Sequence, residues 1–534
     1  MREFPKRLFA IWILVILFLL NGCSMKNIPL QPQEEEVEVA EEPAYGGEIV
    51  LPVTQYDTLN PVVNTNKSVF YLNKLIYDGL IEIDENMKPQ PALADSWSTY
   101  DNNNAVKFIL KNNVKWHDGQ PFNAEDVRFT IDSIKQYKNS IFYPMVEHIK
   151  TIKILSSHEV QIEFDSPQNS LIDKFYFPIL PKHKFTSSEA LINTVNYTPV
   201  GTGKYKAAKV NSYKEIKLDV NENYWKDKPY IENIAAKIIP DEETALTSVE
   251  ANEISMAEAT NYDWEKYSEN QYLKIYEYVS PDIEYIGFNL NKEILKDKRL
   301  RQAIAYGIDR HALVNEIYLG HATITDVPIF PHSWLYDEEG EKYGMNLEKA
   351  KQLLLDLNLQ SQSEENLNTG TEKSIDLSLL VNNDNPLRMK IAELIAKQLK
   401  KVEININIQA VGWEEYQQRL FAGNYEIVLS GWHLSSVQNL SFAFHSSKIG
   451  STNIAGFSDP RMDLLLTEVQ MNISDQEVKQ KYKEMQKIMI DELPYLPLFF
   501  KNNAVIVNEE IKGNINPKSY DIYSNIEQWF VITQ

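Results

Sequence analysis

At 534 residues the chain is long enough to bury more than one core, and two or three domains are expected. The net charge of −22 argues against a nucleic-acid binder and against a protein lying on anionic lipid, since either surface would repel it. An apolar fraction of 43% with 29 tyrosines describes a folded globule, not a disordered or multi-spanning chain, and the single cysteine, Cys23, excludes internal disulfides and cysteine metal clusters.

Arg2, Lys6 and Arg7 precede an apolar run from Leu8 to Leu20, the charged and hydrophobic parts of a secretory signal. The run is shorter than the roughly 20 residues of a membrane span. It ends in Leu20-Asn21-Gly22-Cys23-Ser24, which resembles a bacterial lipobox. That resemblance implies removal of residues 1–22 and lipid attachment at Cys23. Residues 23–45 hold prolines and an acidic run with little to bury, and predict a disordered, extended tether.

The first strand is expected at Gly47–Pro52, followed by a turn at Leu59-Asn60-Pro61 and helical periodicity through Val69, Leu72, Leu75, Ile76 and Leu80. Phe108 to Trp116 alternates as a strand and leads into the turn His117-Asp118-Gly119, with Asn123 as cap of a helix opening at Ala124. Thr198–Tyr205 lacks the spacing of a phosphate loop, and no helix pattern follows it.

Tyr285–Leu290 reads as a strand bounded upstream by Pro281-Asp282. Leu300, Ala303, Ile304, Gly307 and Ile308 mark one face of a helix after Asp297, and Asp309 caps a second helix that Gly320 stops. A helix over Leu347–Leu357, a surface loop over Gln360–Lys373, a strand over Ile375–Val381, an amphipathic helix over Arg388–Leu399 and a strand over Ile404–Ile408 follow. This rhythm predicts an α/β lobe. Trp413 opens a helix through Tyr416 and Leu420, and the run Gly423–Ser435 ends in Gly431-Trp432-His433-Leu434-Ser435.

Phe288-Asn289-Leu290, followed by Arg301-Gln302-Ala303-Ile304 and Ile308-Asp309-Arg310, resembles the extracytoplasmic peptide-binding proteins of bacterial ABC importers, solute-binding family 5. Further blocks match in order: Pro89–Trp97, His117–Val127, Thr198–Tyr205, Asn223-Tyr224-Trp225 with Lys228-Pro229, Asn453 with Phe457–Asp463, and Glu492–Phe499. Only Val249–Ala257 lacks the glycine and aspartate of the block it resembles. The likeness covers nearly all of residues 46–510.

The resemblance implies a two-lobed α/β fold of the periplasmic-binding-protein kind, with a hinge between the lobes. Lobe I would comprise 46–70, 200–284 and 497–534, an extra subdomain 71–199, and lobe II 285–496. Crossings are expected near Pro199–Gly203, Pro281–Tyr285 and Pro494–Phe499. It also implies that Trp413 and Trp432 line a ligand cleft, with Tyr285, Asn289 and His433 as further contacts and Gly431 pairing its main chain with the ligand. Ser435 stands where the family typically carries an aspartate for a peptide α-ammonium, and a neutral hydroxyl cannot replace a charge-assisted bond.

The function so implied is capture of short peptides by a lipid-anchored monomer at the outer face of the cytoplasmic membrane, for delivery to the permease and ATPase subunits of an ABC importer. The alternatives are a receptor of the same fold for a nickel chelate, a sugar or an opine, a signalling-peptide sensor, and, remotely, a secreted hydrolase. No cofactor, metal or enzymatic activity is expected. There is no G-x-S-x-G, the nine histidines are scattered, and His158-Glu159 has Ile162 where a zinc motif would need a second histidine.

Overall fold

The structure, a computed structural model, describes residues 42–532 apart from 102, 169, 195, 212–213, 338–341, 362–373, 436–438 and 472–473. The signal, Cys23, nearly all of the tether and most of the loop expected over Gln360–Lys373 therefore lie outside the described residues.

Three sheets organise the chain. In the first lobe, Glu48–Val53 is an edge strand parallel to Asn233–Ile238, and Glu215–Val220 and Tyr205–Asn211 continue the sheet antiparallel. The alternation that places Ile49, Leu51 and Val53 inward is what pins this edge strand. A second, antiparallel sheet orders Ala94–Tyr100, Ala105–Leu110, Glu159–Phe164 and Ile149–Ser156. The helix Ala124–Gln136 packs on it and opens with a capping box in which Asn123 and Asp126 satisfy each other's backbone N–H. Both sheets share one core, from Ile49 to Trp529.

The third sheet runs Met256–Ala259, Tyr495–Asn508, Leu273–Phe288, Ile427–His433, Ile375–Asn382, Ile404–Val411. Its last three strands are parallel, as the helix–strand rhythm predicts, and helices cover both faces. On one face Lys298–Gly307 follows Asp297, which caps it, and Arg310–Tyr318 starts at its expected cap, Asp309.

Two strands belong to both lobes. Leu273–Phe288 pairs antiparallel with Tyr495–Asn508 from Leu273 opposite Asn508 to Gly287 opposite Tyr495. The register slips between Val279 and Ile283 and again between Glu284 and Tyr285. The strand thus begins at Leu273, not after Pro281-Asp282 as the sequence suggests. Proline lacks an N–H, so here it interrupts the ladder without ending the strand.

Pro199–Gly203 does not cross between lobes. It is a turn docked on the end of helix Lys67–Ile76, where Gly203 N–H donates to Ile76 O (2.9 Å) and the His117 ring bonds Gly203 O (3.0 Å). It hands the chain from the second sheet to the first-lobe strand at Tyr205.

Candidate ligand cleft

A cleft of about 750 Å³ lies where three parts of the chain meet. Phe70, Ser519 and Tyr520 come from the first lobe, residues between Ile141 and Tyr176 from beside the second sheet, and Phe330, His433, Leu434 and Ser435 from the second lobe. Below it, Met87, Ile283, Phe330, Leu434 and Phe500 form a small core shared across the lobes. Trp334 N–H donates to Asn86 O (2.9 Å), and Asn103 Nδ2 donates to Met471 O (2.9 Å), so the lobes touch on both flanks.

The second-lobe wall includes the carboxyl end of the parallel strand Ile427–His433, the end of the strand at which open α/β sheets bind ligands. His433 and Ser435 are on that wall. His433 Nδ1 lies 2.9 Å from Asp282 Oδ1, its cross-strand partner, and this bond raises the imidazole above its ordinary value. Burial pushes Asp282 up, but the His433 bond and the field of Lys501 outweigh it and hold the carboxyl below its usual range.

Trp432 is half-buried behind the wall, with its ring centroid 4.0 Å from Tyr285, 4.9 Å from Tyr495 and 5.3 Å from Phe442. At Gly431 a Cβ would run into the Arg388 guanidinium and lie 2.9 Å from Ile283 O. Ile375–Asn382 pairs with this strand only at Ile427 and Val428. From Leu429 to His433 the strand therefore has no strand partner on its second side among the described residues.

Tyr285, Asn289 and Trp413 are not among the residues walling this cleft. Tyr285 is buried in the second-lobe core, because its strand lies mid-sheet with both faces covered. Asn289 is also buried, and both amide atoms are used: Nδ2 donates to Gly423 O (3.0 Å) and Tyr425 O (2.9 Å), while Oδ1 accepts from Asn291 N–H. Trp413 is 49% exposed, stacked on Tyr416 (centroids 5.6 Å), and is not among the residues walling the cleft.

Sequence reasoning missed the charged group beneath Gly431. The fully buried Glu284 takes Arg388 Nε at 2.8 Å and Lys501 Nζ at 2.9 Å. Its members come from three distant segments, so no local pattern announces them.

The model of the bacterial extracellular solute-binding proteins, family 5 (middle region), matches residues 88–451. The chain belongs to that family. Among family 5 relatives, the oligopeptide-binding protein AppA of Bacillus subtilis is 26% identical over 535 residues, covering 97% of each chain. Heme-binding protein A of Haemophilus influenzae is 25% identical over 481 residues, 84% of this chain and 86% of the relative. The fold aligns with the unliganded open form of the murein tripeptide binding protein MppA at a TM-score of 0.80 and 19% identity, covering 92% of this chain and 98% of that one.

For this family 5 chain, the part of the cleft that the sequence left unmarked is the opposite wall. Phe70, Tyr176 and Tyr520 stand around the Lys74 ammonium, with ring centroids at 5.6, 5.9 and 5.8 Å. Only the i, i+4 spacing of Phe70 and Lys74 hinted at it.

Proposed function

We propose that this protein is a lipid-anchored receptor that captures short peptides outside the cell and passes them, as a monomer, to the permease and ATPase subunits of an ABC importer. The observation that carries the reading is a cleft of about 750 Å³ walled from both lobes, reached at His433 by a strand that has no second strand neighbour past Val428 among the described residues. An extended peptide can add to such an edge through its main chain, while side chains fall into hydrated space. The name of the Bacillus relative supports the same ligand class.

Wall residues come from both lobes, so a ligand touching both favours closure about the two shared strands, and the closed form is what a permease can read. The relatives are named as binding proteins, which supports capture without turnover. Ser435, a hydroxyl on the wall, favours a second reading in which the same cleft takes a non-peptide ligand.

Native mass spectrometry of the chain beginning after Cys23, before and after denaturing release, tests this. A spread of added masses matching short peptides is expected. A single non-peptide or metal-bearing mass would move the protein to the second reading. A bare chain would be followed by thermal-shift screening, where a ligand of the folded state must raise the midpoint.

A further inference from the structure

Among the described residues, the side chains walling the cleft that can carry positive charge are His148, Lys174 and His433. The two histidines face carboxylates of their own. His433 bonds Asp282 at 2.9 Å, and His148 lies 3.3 Å from Asp165 and 3.6 Å from Glu147. Lys174 has no such partner. It sits half-buried in the short helical turn Ile172–Tyr176, and its ammonium donates to a neutral acceptor, Gln168 Oε1, with the Phe164 ring centroid 6.0 Å away. Among the described residues it forms no ion pair. Gln168 is itself buried, and its Nε2 is tied to Ser166 O (2.8 Å), which leaves the amide oxygen for the lysine. Ser166, Pro167 and Gln168 line the same wall, so the ammonium is held at the lining of the cleft. An ammonium carries several N–H donors, and one neutral acceptor does not exhaust them. Desolvation is the main influence on Lys174 and lowers its pKa, with the fields of Glu147 and Asp165 opposing it less strongly. A partly desolvated charge is costly until it is paired.

We propose that Lys174 anchors a carboxylate of the bound ligand, supplied by the carboxyl end of a peptide or by an aspartate or glutamate side chain within it. The proposal rests on the cleft being the peptide site. A carboxylate in the cleft accepts from Lys174 Nζ in a charge-assisted bond, while Gln168 keeps the bond it has. An amide in the same place is a weaker, neutral acceptor, and an alkyl group is none. Glu147, which also lines the cleft, does not replace the ligand's carboxylate. Its side chain is 40% exposed and lies against His148, so water and salt screen its field at the lysine. Lys174 belongs to the wall beside the second sheet and His433 to the second-lobe wall, so a ligand that reaches both spans the cleft.

The test uses the chain beginning after Cys23 with an equimolar set of synthetic peptides. Each is made as a free acid and as a carboxyl-terminal amide, and with Glu or Gln at one internal position in turn. Retained members are read by native mass spectrometry for the parent, Lys174→Met and Lys174→Arg, and the thermal midpoint of each unliganded form is measured. In the parent, the carboxylate member of at least one kind of pair should be retained about tenfold over its neutral counterpart, the size of one charge-assisted bond. A preference in the acid–amide pairs identifies the carboxyl end, and one in the Glu–Gln pairs a side chain. Lys174→Met should retain both members of each pair alike, with its midpoint level with the parent's. Lys174→Arg, which keeps the charge, should restore at least part of the preference.

Equal retention of both members of every pair by the parent overturns the proposal and leaves the peptide reading standing. A preference that persists undiminished in Lys174→Met overturns it as well. Lost binding in both variants, with both midpoints lowered, overturns it in favour of a structural lysine. If the parent retains no peptide at all, the peptide reading of the cleft fails and the anchor falls with it, an outcome recognisable because every form is then bare.

Discussion

His433 and Asp282 show what one cross-strand pair does to a cleft wall. The carboxylate at 2.9 Å raises the imidazole above its ordinary value near 6.5. A raised folded value means that the pair's stabilisation is fully present below the unfolded pKa and is lost as pH rises through the folded one. The histidine is mostly exposed, so the contribution to stability is small, and the effect is better read at the ring. NMR titration should place the His433 midpoint above 6.5 in the parent and return it toward that value in Asp282→Asn; an unshifted midpoint in the variant would rule out the aspartate as the cause. The sequence marked His433 but not its partner. The pairing follows from the register of strands about 150 residues apart in the chain, which no local pattern encodes. Tyr285 and Asn289 lie away from the cleft wall for a related reason: motif membership identified their strand, while its place in mid-sheet buries both side chains.

Caps and periodicity were legible because each acts within a few residues. Asn123 and Asp309 cap the helices they are expected to cap, and the helices after Asp297 and Asp309 end within a turn of expectation. The turn at Thr198–Tyr205 was legible as a turn but not as a docking element, since what it docks on, the end of helix Lys67–Ile76, lies far back in the chain. That docking is tight: a Cβ on Gly201 would overlap the Ile76 carbonyl. Gly201→Ala should cost about 3 kcal/mol or more in urea unfolding, a backbone overlap that cannot be relieved by a rotamer. Gly412→Ala is the control, with nothing within 4 Å of the added carbon, and should change stability by less than about 1 kcal/mol.

The lobes are not beads on a string, because Leu273–Phe288 and Tyr495–Asn508 serve both of them. Melting either lobe frays strands the other needs, so calorimetry of the unliganded protein should give one transition; two resolved peaks would show that the shared strands divide at the register slips. The same threading has a consequence for the order of assembly. The core that begins at Ile49 is completed by Val505, Val507 and Trp529, near the far end of the chain. A polypeptide emerging amino end first, from a ribosome or through a translocation pore, cannot finish its earliest lobe until Trp529 is out. Such long-range closure is slow by nature. The first-lobe core therefore stays incomplete until residues 505–529 have emerged, and the edge strand at Ile49 waits for core partners made more than 450 residues later.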